Sequence, residues 1–207
     1  MPASSLILAS ASAVRAKLLA DAGLRFEAVD SRVDEDAIKA GFAQSDKGHG
    51  DPENETDALA LKLAEAKALA VSATNRQALV IGADQILSCE GKRYDKPKSM
   101  EEARENLLAF RGRPHILHSG VVLVAAGAAV WNLTARATLT MREFSEDFLD
   151  AYLEEAGERV MKSVGCYQLE GPGVQLFEKI EGDYFSILGL PLLPLLDELR
   201  RHGQVMP

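Results

Sequence analysis

Residues 78–85 read Ala-Leu-Val-Ile-Gly-Ala-Asp-Gln. A continuous apolar run of this length is the pattern of a strand buried on both faces. Such strands belong to α/β folds, where helices cover both sides of the sheet. Asp84 closes the run, at the carboxyl end of the strand, where these folds place their ligands. It suits a metal ligand or a general base acting on water. The competing reading is a turn-forming Asp.

Working outward, residues 6–9 (Leu-Ile-Leu-Ala) form a second short apolar strand. Residues 13–22 then follow helical spacing, with Leu18 and Leu19 inward and Gly23 as a stop. Residues 25–29 alternate like a strand, and residues 31–56 are polar and read as loop. Thr56 with Asp57 is expected to cap a helix running to about Ala73. After Asp84, residues 85–89 and 93–95 flank Glu90-Gly91-Lys92 as a hairpin. Ser99 to Glu102 is a capping box opening a helix to Phe110. Residues 121–124 and 129–142 read as antiparallel strands, and Ser145 caps a helix to about Ala156. Residues 163–189 are Gly-rich and have no clear period, and Pro191 opens a last helix ending at Gly203. No repeat or linker divides the chain, so residues 1–207 read as a single α/β domain with a mixed sheet.

Composition narrows the function. The 207 residues carry 23 Lys+Arg against 31 Asp+Glu, a net charge of −8, with 47% hydrophobic and 6% aromatic residues. Disordered and collagen-like classes are excluded. An acidic chain poor in aromatics lacks the basic groove and stacking platforms of a nucleic-acid binder. It can still hold one small phosphate compound where a few cations converge. Two cysteines, Cys89 and Cys166, build neither a disulfide scaffold nor a structural zinc site, so the expected compartment is the cytoplasm. His115 and His118 lie three apart in a strand-like run and are expected at a turn or on the surface. The longest apolar stretch, residues 121–131, is shorter than the ~20 residues of a spanning helix. The first residues lack the basic and long apolar regions of a signal peptide and read as mature structure.

Five segments carry chemistry. Ser10-Ala11-Ser12-Ala13-Val14-Arg15 joins a buried strand to a helix, which makes an anion site of free N–H groups, two hydroxyls and a cation, unless Ser12 is simply an N-cap. Asp84 is the second. In Asp95-Lys96-Pro97, the proline stiffens the chain beside a lysine able to neutralise phosphate, or merely solvated. Asp34-Glu35-Asp36 is a carboxylate triplet in a loop, suited to Mg²⁺ or to solvent. Residues 165–173 (Gly-Cys-Tyr-Gln-Leu-Glu-Gly-Pro-Gly) suggest backbone approaching a ligand, with Gln168 or Glu170 reading polar edges, or an irregular connection. P-loop, GxGxxG-after-strand, GxSxG and HExxH motifs are absent.

In order, these segments resemble the Maf family of nucleotide pyrophosphatases. The matching text includes LILASASAVR (6–15), the segment 26–35 closing on Val33-Asp34-Glu35, and KLAEAK (62–67). It continues with IGADQI (81–86), DKP (95–97), EARENLL (102–108), RGRPHILHSG (111–120), residues 165–173 and LGLPL (188–192). The resemblance implies an elongated mixed-sheet α/β fold, like that of the inosine triphosphatases, with two lobes flanking a central cleft. It implies metal-dependent hydrolysis of a nucleoside triphosphate between its α and β phosphates, giving a monophosphate and pyrophosphate. The implied metal is Mg²⁺ or Mn²⁺. Ser10, Ser12 and Arg15 match the SxSxxR motif that grips phosphates, and Glu35 matches an acidic metal-site position. Lys67 and Lys96 match two lysines that counter triphosphate charge, and Asp84 matches the catalytic proton acceptor, which also serves the metal.

Gln85 after Asp84 and Glu170 before Gly171 resemble the branch acting on 7-methyl-GTP rather than the dTTP/UTP branch. Val14 stands where the 7-methyl-GTP branch has an aromatic residue and cannot stack on a base, which leaves a broader nucleotide range as the alternative. Glu170 can pair with the guanine N1–H and 2-amino groups. The family's association with septum formation makes a non-catalytic regulator a further alternative. The apolar strands across residues 121–139 provide either core or the edge of a homodimer.

Overall fold

The computed structural model describes residues 5–45 and 51–206. The chain runs β1 (Leu6–Ala9), α1 (Ala13–Asp21), β2 (Glu27–Ala28), α2 (Glu35–Ser45), α3 (Pro52–Ser72), β3 (Leu79–Cys89), β4 (Lys92–Tyr94) and α4 (Met100–Phe110). It continues β5 (Pro114–Ala125), β6 (Ala128–Met141), α5 (Glu146–Ala156), β7 (Phe177–Glu181), α6 (Tyr184–Ile187) and α7 (Leu192–Arg201). Short 3-10 segments cover Gly157–Lys162 and Pro172–Leu176. Strands hydrogen-bond in the order β2-β1-β3-β5-β6-β7, and β4 pairs with β3. β1 is parallel to β2 and β3, while β3–β4 and β6–β7 are antiparallel. This is the expected mixed-sheet α/β class. Among the described residues no helix is long and apolar enough to cross a membrane.

The chain divides into two compact units, one of residues 1–84, 119–135 and 184–207, the other of residues 85–118 and 136–183. In the first, alternation along β1, β3 and β5 sends successive side chains to opposite faces. Leu6, Leu8, Leu79, Ile81 and Ala83 join Leu18 and Leu19 of α1 and Leu195 and Leu199 of α7 in one core cluster. Ile7, Ala9 and Val80 join Ala64, Ala68 and Val71 of α3 in another. The apolar run is therefore buried on both faces, as its composition demands.

Small residues bring α3 unusually close to the sheet. Ala60, Ala64 and Ala68 repeat at the spacing of one helix face. A Cβ on Gly82 would stand 2.0 Å from the Ala64 carbonyl oxygen, and one on Gly120 would stand 2.8 Å from that of Ala60. Only glycine fits beneath the helix at these points. Lys67 belongs to the same helix, so this close approach sets its height above β3.

In the second unit, the fully buried Phe110 closes α4. Its ring meets Tyr94 edge to face and His115 at a tilt, and His115 lies tilted against Tyr167 and Phe177. Ser99 accepts from Glu102 N at 3.2 Å, as the capping box predicts. The Glu102 carboxylate accepts from Lys98 N at 2.7 Å instead of returning to Ser99.

Several expectations are corrected. Residues 79–83 and 85–89 belong to one strand, β3, and Asp84 lies inside it rather than at its end. The carboxylate triplet is not in a loop: Asp34 accepts from Ala37 N at 2.9 Å, and Glu35 and Asp36 open α2. Acidic side chains in a first turn complement the helix dipole, which explains a helix in so polar a stretch. α3 begins at Pro52 under an Asp51 cap rather than at Thr56, whose hydroxyl donates to Pro52 O at 2.8 Å within the helix. Residues 46–50 of that polar stretch lie outside the described residues. The expected strand over residues 25–29 is reduced to Glu27–Ala28. His115 and His118 are neither at a turn nor on the surface: they are 1% and 0% exposed on β5. Each has a hydrogen-bond partner remote in sequence, Tyr167 Oη at 2.8 Å from His115 Nε2 and Ser88 Oγ at 3.0 Å from His118 Nε2.

Candidate active site

The first unit contains Ser10, Ser12, Val14, Arg15, Glu35, Lys67 and Asp84. β1 ends at Ala9, and the turn that follows delivers Ser10 and Ser12 to the start of α1. Ser10 is buried, and its Oγ accepts from Ser12 N at 3.2 Å and Arg15 Nη1 at 3.3 Å. Ser12 is the N-cap of α1, its Oγ accepting from Arg15 N at 3.4 Å. Capping leaves the other early N–H groups of the helix directed outward. Val14 is half-buried on that first turn.

Arg15 is buried. Its Nε donates to Gly189 O at 2.8 Å and its Nη1 to Ala83 O at 2.8 Å. Burial draws the guanidinium below its ordinary value, against the opposing attraction of Asp84 and Glu35. Arginine remains charged at neutral pH regardless.

Lys67 joins the two carboxylates. Its Nζ lies 2.5 Å from Asp84 Oδ1 and 2.7 Å from Glu35 Oε1. Asp84 shares the α3-facing side of β3 with Gly82, two residues before it. Glu35 reaches the lysine from the start of α2, with its side chain 42% exposed, whereas the Lys67 and Asp84 side chains are 11% and 10% exposed. Two anions and two cations thus balance within one small region. A buried aspartate can persist inside an apolar strand because its charge is paired.

The donor set fits a hard divalent cation. Mg²⁺ is typically held by one or two carboxylates, with substrate phosphate oxygens and water completing its shell. Glu35 and Asp84 supply two carboxylates converging on one point, the Lys67 ammonium, and both offer oxygen rather than sulfur or nitrogen. Among the described residues no group of three or more His, Cys, Asp or Glu is placed to hold a metal by itself. A cation here would therefore lean on the substrate for ligands.

The second unit contains Gln85, Lys96 and Glu170. Gln85 is half-buried in β3, directly after Asp84. Lys96 is exposed beside the buried Pro97. Glu170 is exposed in the turn before Pro172–Leu176, where Gly171 N donates to Gln168 O at 3.2 Å. Two contributors escaped sequence reasoning, the carbonyl groups of Ala83 and Gly189. The LGLPL text marked the neighbourhood of Gly189, but a backbone acceptor has no side-chain signature.

The model for the family described as Maf-like protein matches residues 5–202. A nucleoside triphosphate pyrophosphatase of Caulobacter vibrioides is 53% identical over 196 residues, 95% of this chain and 94% of that protein. One of Granulibacter bethesdensis is 50% identical, covering 95% of this chain and 96% of its own length. A 7-methyl-GTP pyrophosphatase of Rhizobium etli is 49% identical, covering 97% of both. With the match running from the strand before Ser10 to the end of α7, the chain belongs to the Maf-like protein family.

Proposed function

We propose that the chain is a nucleoside triphosphate pyrophosphatase that cleaves its substrate between the α and β phosphates. Its relatives carry that activity in their names over nearly their full lengths. The observation that supports the reading most is the shared hold of Glu35 and Asp84 on Lys67. It gathers two carboxylates and a cation at one point, and phosphoanhydride cleavage needs charge neutralisation and positioning more than covalent chemistry.

Ser10, Ser12 and the free N–H groups of α1 receive phosphate oxygens. Lys67 and Lys96 counter the charge of the triphosphate chain. Asp84 accepts the proton of the attacking water, whose oxygen bonds to the α phosphorus as the bond to the α–β bridging oxygen breaks. Pyrophosphate leaves with the bridging oxygen and the monophosphate keeps the water oxygen. Glu35 and Asp84 are the residues that would hold Mg²⁺ or Mn²⁺, which when bound would neutralise phosphate charge.

The substrate we infer is 7-methyl-GTP. Gln85 and Glu170 support this, since a carboxylate pairs with the guanine edge and favours a cationic ring. A relative 48% identical, from Rhizobium meliloti, is named for the same substrate. Val14 favours a second reading, a broader range of nucleotides, because it cannot stack on a base. A panel of 7-methyl-GTP, GTP, dTTP and UTP with separate detection of phosphate and pyrophosphate decides between them. Pyrophosphate from 7-methyl-GTP far above the rest supports the first reading, even turnover supports the second, and orthophosphate as the product overturns the cleavage position. The net charge of −8 favours a small metal-bound substrate over a polymer.

A further inference from the structure

We propose that Arg15 is a positioning residue: its guanidinium ties the α6–α7 connection at Gly189 to β3 at Ala83 and so aims the Asp84 carboxylate. The inference rests on the reading of Asp84 as proton acceptor.

The pairing of β1 with β3 ends at Ala9 and Gly82. One residue further along β3, the buried Ala83 presents its carbonyl to Arg15 Nη1 at 2.8 Å. The side chain takes up an acceptor just where the register with β1 stops. The peptide joining Ala83 to Asp84 is planar, so fixing the Ala83 oxygen also fixes the nitrogen and Cα of Asp84. The direction in which the Asp84 side chain projects from β3 is then set by Arg15.

The other anchor is Gly189 O, 2.8 Å from Arg15 Nε. Gly189 has φ +94°, a conformation that side chains disfavour. Its own N–H donates to Ser186 O at 2.9 Å, so both sides of this residue are committed. This gives the LGLPL segment a function: it presents a fixed carbonyl to the latch. Ser10 Oγ, 3.3 Å from Nη1, adds an anchor from the residue after β1.

A neutral donor would satisfy two carbonyls without the cost of burying a charge. The guanidinium is retained beside Asp84 and Glu35, whose attraction opposes that cost. Its planar fork spans two acceptors at fixed angles, which a lysine ammonium does not reproduce.

The test compares Arg15→Lys, Gly189→Ala and the double variant in steady-state pyrophosphate release, with kcat normalised to the folded fraction from a thermal melt. A misplaced catalytic group is expected to cost ~10- to 100-fold in kcat. Both single variants should show that loss with KM within about twofold of wild type, and the double variant should be no worse than the more impaired single one. If Gly189→Ala does not fold, Arg15→Lys alone decides through its division between kcat and KM. A raised KM with unchanged kcat in Arg15→Lys would make Arg15 a phosphate grip and overturn the latch. Wild-type kcat per folded molecule, with only a lower melting temperature, would also overturn it. Asp84→Asn is measured beside them: if it retains full activity, the catalytic reading fails; if it is inactive while Arg15→Lys keeps wild-type kcat, the latch alone fails.

Discussion

Lys67 Nζ lies 2.5 Å from Asp84 Oδ1, and the two side chains are 11% and 10% exposed. The same nitrogen holds Glu35 Oε1 at 2.7 Å. Lys67→Met leaves two carboxylates without their shared cation. Breaking a buried pair by removing one partner costs about 3 kcal/mol or more. Urea denaturation should show that loss, with Asp84→Asn in the same chain recovering part of it. Loss of a charge-stabilising donor should lower kcat by about 100-fold.

Gly82 lies beneath α3, where an added Cβ would stand 2.0 Å from the Ala64 carbonyl oxygen and 2.8 Å from Ala68 Cβ. The obstacle includes backbone, so the helix must move. Gly82→Ala should destabilise by about 1–3 kcal/mol, the range for overfilling a close-packed interior. It should also lower activity, because Lys67 moves with α3. Gly41→Ala is the control: nothing stands within 4 Å of its Cβ site in α2. Alanine there should be neutral or stabilising by up to about 1 kcal/mol. Paired urea titrations distinguish the two.

Burial lowers His115 from its ordinary 6.5 to about 3. Its Nδ1 has no hydrogen-bond partner, while Nε2 meets Tyr167 Oη at 2.8 Å. The native state keeps this ring neutral while the unfolded chain protonates it near pH 6.5. Its contribution is therefore fully present above pH 6.5 and is lost as pH falls toward 3. Between pH 6.5 and 5 wild type should lose up to about 1.4 kcal/mol per pH unit more than His115→Gln. Denaturant midpoints at these pH values test this, and equal slopes in the two proteins would contradict it.

Cys89 and Cys166 are both buried thiols outside any disulfide, and burial pushes the Cys166 thiol up to about 12. The thiolate is the reactive form. The native protein should therefore resist a disulfide reagent at pH 8 for as long as it stays folded. Both thiols should react in denaturant, and fast native labelling of Cys166 would contradict its placement.

Much of the fold was legible where its signals are local. The strand before Ser10, the caps at Ser99 and Ser145 and the apolar run ending at Ala83 all read correctly because neighbouring residues carry the pattern. The misreadings share a cause. Asp84-Gln85 looked like a strand end because the lysine that pairs Asp84 lies 17 residues earlier. His115 and His118 looked superficial because Tyr167 and Ser88 satisfy them from 52 and 30 residues away. α2 was hidden by its acidic first turn, whose benefit comes from the helix dipole rather than from apolar spacing. At the site, Asp84 was legible from the apolar strand it follows and Lys67 only by resemblance, whereas the Ala83 and Gly189 carbonyls that hold Arg15 emerged only with the backbone in place.

The most direct test of Asp84 as the catalytic proton acceptor is the rate of pyrophosphate release by Asp84→Asn against wild type, with saturating 7-methyl-GTP and Mg²⁺. The substitution keeps size and removes the base. A fall of at least ~100-fold, the low end for a positioned general base, with an unchanged cooperative melt is the predicted result. Wild-type release from the folded variant would contradict the assignment.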